Sequence, residues 1–271
     1  PVVWAFAGSL YQFEVGGESE FVGLNNYIEF LVYDPTTYPS LLHMLFLTVC
    51  LCCIRLTVPL IVAKLIYSLL HERWRYAYRI AFLVPIIVPG VAIQLIWGGM
   101  IYGDAGMLNE ILRVVGLDAW RHGWLSEPET ALVSIIFIGF PWVGGIDVLI
   151  YYAGLSGIPT SVSESAKLEG CVGLHKFFLI DIPMVLSQLK LILVLTLIAG
   201  IQTYENILVL TRGGPGFETM VPGLWMYFNA FSFQRMGYAC AIGVCLFVLI
   251  FGLTIITFRY FKSTEELEGR A

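Results

Sequence analysis

Charged residues are scarce in this sequence: they make up only 13% of its 271 positions, whereas 58% are hydrophobic and the mean hydropathy is +0.80. A soluble domain carries about 25% charged residues, so this composition excludes an ordinary soluble fold. Lysine and arginine form no basic patch, which argues against nucleic acid as a partner. The scarcity of charge therefore predicts a membrane protein.

Several groupings that support chemistry are also missing. The histidines are scattered, no Ser/His/Asp or HExxH arrangement can be assembled, and there is no GxxxxGK[ST] nucleotide motif. The cysteines lie in apolar stretches or, for Cys171, in a charged segment, and this placement argues against a disulfide framework. We therefore expect no catalytic site, no metal site and no cofactor in this chain.

Long apolar stretches dominate instead. A spanning helix needs about 20 mostly apolar residues. The opening segment, PVVWAFAGSL, is expected to be the outer end of a first helix that begins before the given sequence. The sequence thus predicts an all-α membrane protein with six transmembrane helices in a single domain, residues 1–271. The five complete spans are Leu41–Tyr67, Tyr78–Ile101, Thr130–Tyr152, Ile180–Tyr204 and Gly237–Tyr260.

Basic residues predict the orientation, because cytoplasmic loops retain lysine and arginine. The loop HERWRYAYR, the long loop at about 154–179 and the C-terminal tail are placed inside. The inner set is Arg73, Arg75, Arg79, Lys167, Lys176, Arg259, Lys262 and Arg270, and the outer set is Arg113, Arg121, Arg212 and Arg235.

The inner loop contains the segment ESAKLEGCVGLHKFFLIDIP, Glu164 to Pro183. Pro159 and the hydroxyl residues after it predict a short helix that begins near Ser161 or Ser163, with a hydroxyl N-cap. Gly170 permits a bend before a second helix. Two readings stay open: a compact knob that contacts another protein, or an amphipathic hairpin on lipid headgroups. In the knob, Glu164, Lys167 and Glu169 face outward, and small residues, Ala166, Gly170 and Cys171, allow close contact.

The same segment resembles the EAA motif, E-A-A-x2-D-G-A-x8-I-x-L-P, of permease subunits in bacterial binding-protein-dependent ABC importers. The spacing matches throughout, from Glu164 to Pro183. The departures are conservative. Ser165 and Cys171 stand where the motif has alanine, Glu169 where it has aspartate, and Ile182 where it has leucine.

The resemblance extends along most of residues 21–260. LVPIIVPGVAIQLIW followed by GDAGMLNEIL resembles a span and the G-x-L-N outer loop of the carbohydrate-uptake branch, the maltose and glycerol-phosphate permease type. LTRGGPGFET resembles its L-T-x-G-G-P loop, and FVGLNNYIEF its outer segment after the first helix. Long motifs in the same order make coincidence a poor explanation.

The resemblance implies the type I ABC importer permease fold, in a multi-pass protein of the bacterial cytoplasmic (inner) membrane. Its inner knob would be a coupling helix that docks into an ATP-hydrolysing subunit, through Glu164, Ser165, Ala166, Lys167, Glu169, Gly170 and Cys171. It also implies a second permease subunit that differs from this one, two ATP-binding subunits that hold ATP and Mg, and an extracytoplasmic solute-binding protein. That protein would dock on the outer loops Gly103–Glu129 and Tyr204–Gln234, where RGGPG would supply a rigid turn. A secondary transporter or channel is the rival, although the sequence shows no internal repeat.

A polar face predicts the solute pathway. Thr196, Gly200 and Thr203 share one helical face, with Tyr204 and Asn206 above it. Related sugar permeases draw their pocket from this helix and from the preceding span, where Trp142 would stack on a sugar ring. The alternative is a packing seam of small residues with a core tryptophan.

Arg55 and Lys190 are cations within apolar spans. Arg55 is expected to lie deep, whereas Lys64 and Asp147 are expected near the inner boundary, where they can reach water. If Arg55 and Lys190 both faced the cavity, they would favour an acidic solute, such as a uronate-bearing oligosaccharide, over a neutral sugar. The alternative is an internal charge pair or hydrogen bonds to backbone carbonyls.

Overall fold

Helices form most of the secondary structure in this computed structural model, which describes residues 2–13 and 19–260. One small antiparallel ribbon departs from the predicted all-α class: β1 (Tyr11–Gln12) pairs with β2 (Glu20–Phe21), with Tyr11 opposite Phe21. Lys262 and Arg270, which entered the orientation argument, lie outside the described residues.

The elements have the following bounds. The α-helices are α1 (Val2–Gly8), α2 (Asn25–Ile28), α3 (Thr37–Tyr67), α4 (Glu72–Leu83), α5 (Gly90–Leu95), α6 (Met107–Val114), α7 (Pro128–Phe137), α8 (Gly145–Ser156), α9 (Thr160–Leu168), α10 (Gly173–Lys176), α11 (Ile182–Met184), α12 (Leu186–Ile201), α13 (Glu205–Leu210), α14 (Pro222–Tyr227) and α15 (Met236–Tyr260). Short 3-10 helices cover Val84–Ile87 and Asp118–Trp120, and π-helical turns cover Glu29–Tyr33, Ile96–Ile101, Phe177–Asp181 and Phe228–Ser232.

Two helices are continuous and apolar enough to cross a membrane. They are α3, with 31 residues and a mean hydropathy of 2.4, and α15, with 25 residues and a mean hydropathy of 2.8. Both confirm predicted spans. Two bent helix pairs, Glu72–Ile87 with Gly90–Ile101 and Gly173–Met184 with Leu186–Ile201, raise the number to four if each pair is one span. These counts refer to the described residues, so the prediction of six spans stays a prediction.

The other three predicted spans are interrupted, not continuous. Val88 has an extended ψ of 125° before Pro89, because the ring of a proline disfavours helical geometry in the residue before it. Pro183 lies within the short helix α11, and the chain bends by 69° after it, at Val185, which has φ −105° and ψ 20°. Proline therefore accounts for the first of these two interruptions.

The predicted span Thr130–Tyr152 contains the third interruption. Helix α7 ends at Phe137, and α8 begins at Gly145. Between them Gly139 and Trp142 have positive φ, +81° and +59°, and the peptide bond before Pro141 is cis. The two positive φ values are incompatible with a right-handed helix. Residues 138–144 therefore form an irregular connection.

The chain divides into two compact units. The first consists of the described residues of Pro1–Cys50, Gly90–Ile138 and Ile198–Gly252, and the second of those of Leu51–Pro89, Gly139–Leu197 and Leu253–Ala271. In the second unit, buried apolar residues from α3, α8 and α12 form one cluster, centred on Tyr151, Leu155 and Ile192. The prediction of one domain over residues 1–271 remains a prediction.

Candidate functional site

The helices α9 and α10 form a hairpin, residues 160–176, whose turn follows from the local sequence. The N–H of Cys171 donates to the carbonyl of Ala166 at 2.8 Å, and the N–H of Gly170 donates to the carbonyl of Lys167 at 3.1 Å. Gly170 has φ +75°. This arrangement is a Schellman motif, which needs a left-handed residue that glycine adopts without a steric penalty. The predicted bend at Gly170 is confirmed.

The start of α9 lies where it was predicted, but its N-cap differs from the prediction. The helix begins at Thr160, next to Ser161, with Pro159 at the N-cap position (φ −56°, ψ 138°). Proline has a φ close to that of a helix, so the turn can begin at once, but its ring offers no oxygen for capping. The predicted hydroxyl N-cap is wrong.

Most of the predicted contact residues are exposed on this hairpin. Glu164, Ser165, Lys167, Glu169 and Gly170 are exposed, and Cys171 is half-buried. Ala166 is the exception: it is only 4% exposed. Since Val162 and Ala166 are four residues apart on α9, they share the face that turns toward the protein interior, where Val162 packs on the buried cluster. The expectation that Ala166 offers contact to another surface is therefore wrong.

The structure adds apolar residues that the sequence analysis missed. Leu168 is 90% exposed, and Leu174 and Val172 beside the turn are also exposed. Their signal was present, because they are large apolar residues within a charged segment. Apolar side chains that cluster at a surface mark contact with a protein or a membrane.

Arg55 forms an internal charge pair. Its guanidinium donates to Asp147 from Nε at 2.6 Å and from Nη2 at 2.7 Å. Asp147 is 3% exposed, so the expectation that it reaches water at the inner boundary is wrong. A carboxylate in this position offsets the charge of Arg55. The charge-pair alternative describes Arg55 better than a free cation in a cavity.

Lys190 is also occupied. Its ammonium donates to the backbone carbonyl of Phe258 at 3.4 Å and lies 4.8 Å from the centre of the Phe258 ring. A backbone carbonyl and an aromatic face both stabilise a buried cation. The alternative of a bond to a backbone carbonyl therefore applies to Lys190.

Trp142 does not lie on a helix. It belongs to the irregular connection 138–144, is half-buried, and meets Phe140 edge to face at 4.9 Å between ring centres. Its left-handed backbone, φ +59°, is costly for a bulky residue. Strained backbone of this kind clusters at functional sites. The prediction that Trp142 meets a sugar is neither tested nor removed by this position.

Thr196 and Gly200 fit a packing seam. Thr196 is fully buried, and its hydroxyl donates to the carbonyl of Ile192 in its own helix at 2.6 Å. A Cβ at Gly200 would lie 2.7 Å from Thr48 Oγ1, so glycine is what lets α3 and α12 approach here. At these two positions the predicted polar face makes contacts within the protein, as in the alternative of a packing seam.

The residues above that face are more accessible. Tyr204 is exposed and stacks on Tyr227 at 5.8 Å between ring centres, while Thr203 is half-buried and lies beyond α12, which ends at Ile201. Asn206 is exposed, and its Oδ1 accepts a hydrogen bond from Nε2 of Gln94. The sequence analysis missed Gln94, although an amide inside the apolar run GVAIQLIW was a usable signal.

Gln94 also lines a cavity of about 480 Å³ in the first unit. The cavity lies among α5, the π-helical turn after it, the loop around Gly123 and helix α13, and includes Tyr102 and Asp104. Gln94 is 5% exposed, and its Oε1 finds no hydrogen-bond partner within the part of the chain that the structure describes. A buried amide oxygen of this kind can accept a hydrogen bond from a polar ligand.

The outer loop 103–129 is organised by Asn109, the asparagine of the G-x-L-N motif. Its Nδ2 donates to the carbonyls of Asp104 and His122, at 3.2 and 3.0 Å. Its Oδ1 accepts from Trp124 Nε1 at 2.9 Å and from the N–H of His122 at 3.3 Å. Asn109 is 3% exposed, so this fully bonded amide fixes the loop from inside.

Beside it, the carboxylate of Glu127 accepts the N–H of Gly123 at 2.7 Å and contacts His122 Nδ1 at 2.8 Å. The backbone hydrogen bond from Gly123, followed by the one from His122, lowers the pKa of Glu127 below its ordinary value. The ionised carboxylate thus holds this end of the loop closed.

The second outer loop contains the predicted turn. Arg212, Gly213 and Gly216 have positive φ, and Thr219 Oγ1 donates to the carbonyl of Gly214 at 2.7 Å. A mostly apolar cleft of about 470 Å³ lies against this turn. Its lining includes Phe217 and Trp225, which meet edge to face at 6.2 Å between ring centres.

Comparison with known proteins gives consistent relatives. No family model matches the chain. A probable ABC transporter permease of Bacillus subtilis, YurN, is 29% identical over 260 residues, which cover 95% of this chain and 88% of that protein. The arabinooligosaccharides transport system permease AraP of the same organism is 28% identical over 265 residues, covering 96% and 82%.

A solved structure supports the fold. The bacterial alginate ABC transporter, crystallised in complex with an alginate pentasaccharide-bound periplasmic protein, contains a chain that aligns with a TM-score of 0.77 and 20% identity. The alignment covers 87% of this chain and 81% of that one. With the apolar helices, these relatives indicate a multi-pass membrane protein. The resemblance to the EAA-motif permeases is therefore confirmed, and the chain is a relative of the ABC transporter permeases, several of which are named for sugar uptake.

Proposed function

We propose that this chain is the permease subunit of an ATP-driven ABC importer that carries a carbohydrate across the bacterial cytoplasmic membrane. The relatives support the carbohydrate class, since they include permeases named for arabinooligosaccharides and for multiple sugars. The structural neighbour supports the fold. The chain would assemble with a second permease subunit, two ATP-binding subunits and an extracytoplasmic solute-binding protein.

The observation that carries the proposal is the exposed α9–α10 hairpin. It combines side chains of charged residue types, Glu164, Lys167 and Glu169, with the exposed apolar side chain of Leu168. A mixture of apolar anchors and charges is typical of a surface that enters a groove of another protein. We assign this surface to an ATP-binding subunit, which would bind ATP and Mg itself. Its closure would push on the hairpin and shift the permease between two states.

The solute pathway would include the cavity that Gln94 lines. Its volume, about 480 Å³, is within the range of about 300–1,000 Å³ for small-molecule sites. Amide groups of Gln94 and Asn206 can bond sugar hydroxyls, and the aromatic ring of Tyr204 can stack on a sugar ring. Since Asp147 already holds Arg55, the proposal does not require an acidic sugar.

The solute-binding protein would dock on the outer loops 103–129 and 204–234. Asn109 gives the first loop a fixed shape, and the aromatic cleft near Trp225 gives the second an apolar recess. Shape and an apolar centre are what a transient protein contact requires.

The experiment is to co-express the chain with its cognate ATP-binding subunits and purify through the permease. Glu164→Lys combined with Leu168→Asp should remove most of the bound ATP-binding subunit and abolish uptake of the sugar that copurifies with the cognate binding protein. Glu20→Lys, a charge reversal on an exposed glutamate outside the hairpin and outside both docking loops, is the control. Unchanged attachment and uptake in the double variant would contradict the proposal, and uptake that persists after ATP depletion would favour a secondary transporter.

A further inference from the structure

A buried carboxylate with two lysine partners lies where the hairpin joins the next helix. Asp181 is fully buried, and its Oδ1 accepts Lys176 Nζ at 2.6 Å. Its Oδ2 accepts Lys64 Nζ. All three residues belong to the second unit. The carboxylate therefore bonds both its own segment and a residue 117 positions earlier in the chain.

The two lysines connect Asp181 to different parts of the fold. Lys176 is the last residue of α10, five residues before Asp181, so this bond stays within one segment. Lys64 lies near the end of α3, the long apolar helix. Asp181 itself ends the π-helical turn that precedes Pro183 and the bend into α12. The bond to Lys64 is thus the one that joins the hairpin segment to a predicted span.

Apolar contacts also join these parts, but they act differently. Phe177 and Ile182 pack on the buried cluster that includes Leu60 and Ala63 of α3. Apolar packing has no preferred direction, so it does not tie any one residue of the segment to a particular residue of α3. If Asp181 moved away from Lys64, the mostly shielded Lys64 ammonium would lose its carboxylate partner, which is costly. The ionic bond therefore obliges the end of α3 to follow Asp181.

We propose that Asp181 and Lys64 are positioning residues that transmit a displacement of the α9–α10 hairpin to helix α3, whereas Lys176 only holds the carboxylate within its own segment. The inference rests on the proposed function, since it names the route from the hairpin that binds the ATP-binding subunit into a span. It concerns the coupling of ATP hydrolysis to transport and is separate from attachment of the ATP-binding subunit.

The two lysines provide matched variants. Lys64→Met removes the bond between segments and leaves Asp181 neutralised by Lys176. Lys176→Met removes one ammonium as well, but leaves the bond from Asp181 to α3. Both variants keep one carboxylate with one lysine, and both lysines are mostly shielded in the folded chain, at 24% and 12% side-chain exposure. Lys64→Arg keeps the charge and serves as the conservative rescue.

The measurement uses the complete transporter in proteoliposomes, with MgATP and the cognate binding protein carrying its own solute. For each variant, retention of the ATP-binding subunits is measured first, followed by the ratio of ATP hydrolysis with and without the binding protein. Lys64→Met should keep its ATP-binding subunits but lose about tenfold in this ratio, a common size for coupling between two sites. Lys176→Met and Lys64→Arg should stay within about twofold of the parent, as uninvolved substitutions do.

The outcomes separate the two proposals. If Lys64→Met keeps the parental ratio, or if both Met variants lose it equally, the positioning role is wrong while the permease function stands. If Lys64→Met fails to assemble, Lys64→Gln is measured in its place, and failure of both while Lys176→Met assembles would assign Lys64 a purely structural role and overturn the inference. The proposed function is tested separately, by the variant that combines Glu164→Lys with Leu168→Asp. It is wrong if that variant keeps both its ATP-binding subunits and its uptake. The lysine variants leave Glu164 and Leu168 unchanged.

Discussion

The guanidinium of Arg55 and the carboxylate of Asp147 form two short hydrogen bonds, 2.6 and 2.7 Å long, across a separation of 92 residues. The pair joins α3 to the first turn of α8 within the second unit. Because Asp147 is almost completely buried, its charge depends on this partner for compensation. We therefore expect Arg55 to contribute mainly to the stability of the fold.

Arg55→Met should therefore destabilise the protein, by about 3–5 kcal/mol, because it leaves a buried carboxylate unpaired. Arg55→Met combined with Asp147→Leu should recover most of that loss, because no isolated charge remains. Thermal unfolding of the purified variants in detergent measures both effects. If Arg55→Met alone is as stable as the parent and changes the preference between acidic and neutral sugars, the structural role is wrong and Arg55 belongs to the solute pathway.

The Schellman turn predicts a residue-specific effect at position 170. A Cβ at Gly170 meets nothing within 4 Å, so any cost of substitution comes from the backbone. Gly170→Ala should weaken the turn by about 1–2 kcal/mol, the penalty for a left-handed residue, and Gly170→Asn by less. Hydrogen exchange of the Cys171 amide, which bonds to Ala166, reports the opening of the turn. Equal protection in the Ala and Asn variants would show that φ is not the cause.

Gln94 predicts a transport effect. Gln94→Leu keeps the volume and removes both amide groups, so the KM for uptake should rise by about tenfold, the cost of one lost hydrogen bond in a buried site. Thr196→Val is the matched control, because the Thr196 hydroxyl bonds to its own helix. Uptake kinetics with the sugar from the cognate binding protein test this, and an equal change in both variants would remove Gln94 from the pathway.

Glu127 predicts a pH dependence in the outer loop. Since its folded pKa is lowered, the hydrogen bonds it accepts stabilise the loop fully above the ordinary glutamate pKa of about 4.3 and are lost as the pH falls through the lower folded pKa. The protection factor of the Gly123 amide, corrected for the intrinsic exchange rate, should fall in that acidic window. Glu127→Gln should show no such step, and a step that persists in this variant would point to another group.

Local features of the fold were predictable because their causes lie close together in the chain. Gly170 needs only its neighbours to form the turn, and the apolar lengths of α3 and α15 suffice to identify two spans. The interruption at Pro89 has a local cause as well, because a proline inside a span removes a backbone hydrogen bond and can kink the helix. Hydropathy alone counts apolar residues and does not register where a proline or a glycine stops a helix.

Candidate site residues were predicted less completely. The hairpin residues Glu164, Lys167 and Glu169 are exposed as expected, because charge indicates exposure reliably. Ala166 was misplaced because a small apolar residue is compatible with either side of a helix. Gln94 was missed because its partner, Asn206, is 112 residues away.

The sequence by itself determined the membrane class, the hairpin with its glycine turn, and the kinship with sugar-uptake permeases, since composition, local backbone preference and ordered motifs all reside in the linear chain. Tertiary structure alone decided which polar groups are partners: Arg55 with Asp147, Lys64 with Asp181, and Gln94 with Asn206. The physical reason is that lipid tails are as apolar as leucine, so a spanning helix is apolar on every side. Its pattern does not show which face meets the protein interior, and that face becomes known only when the helices pack together.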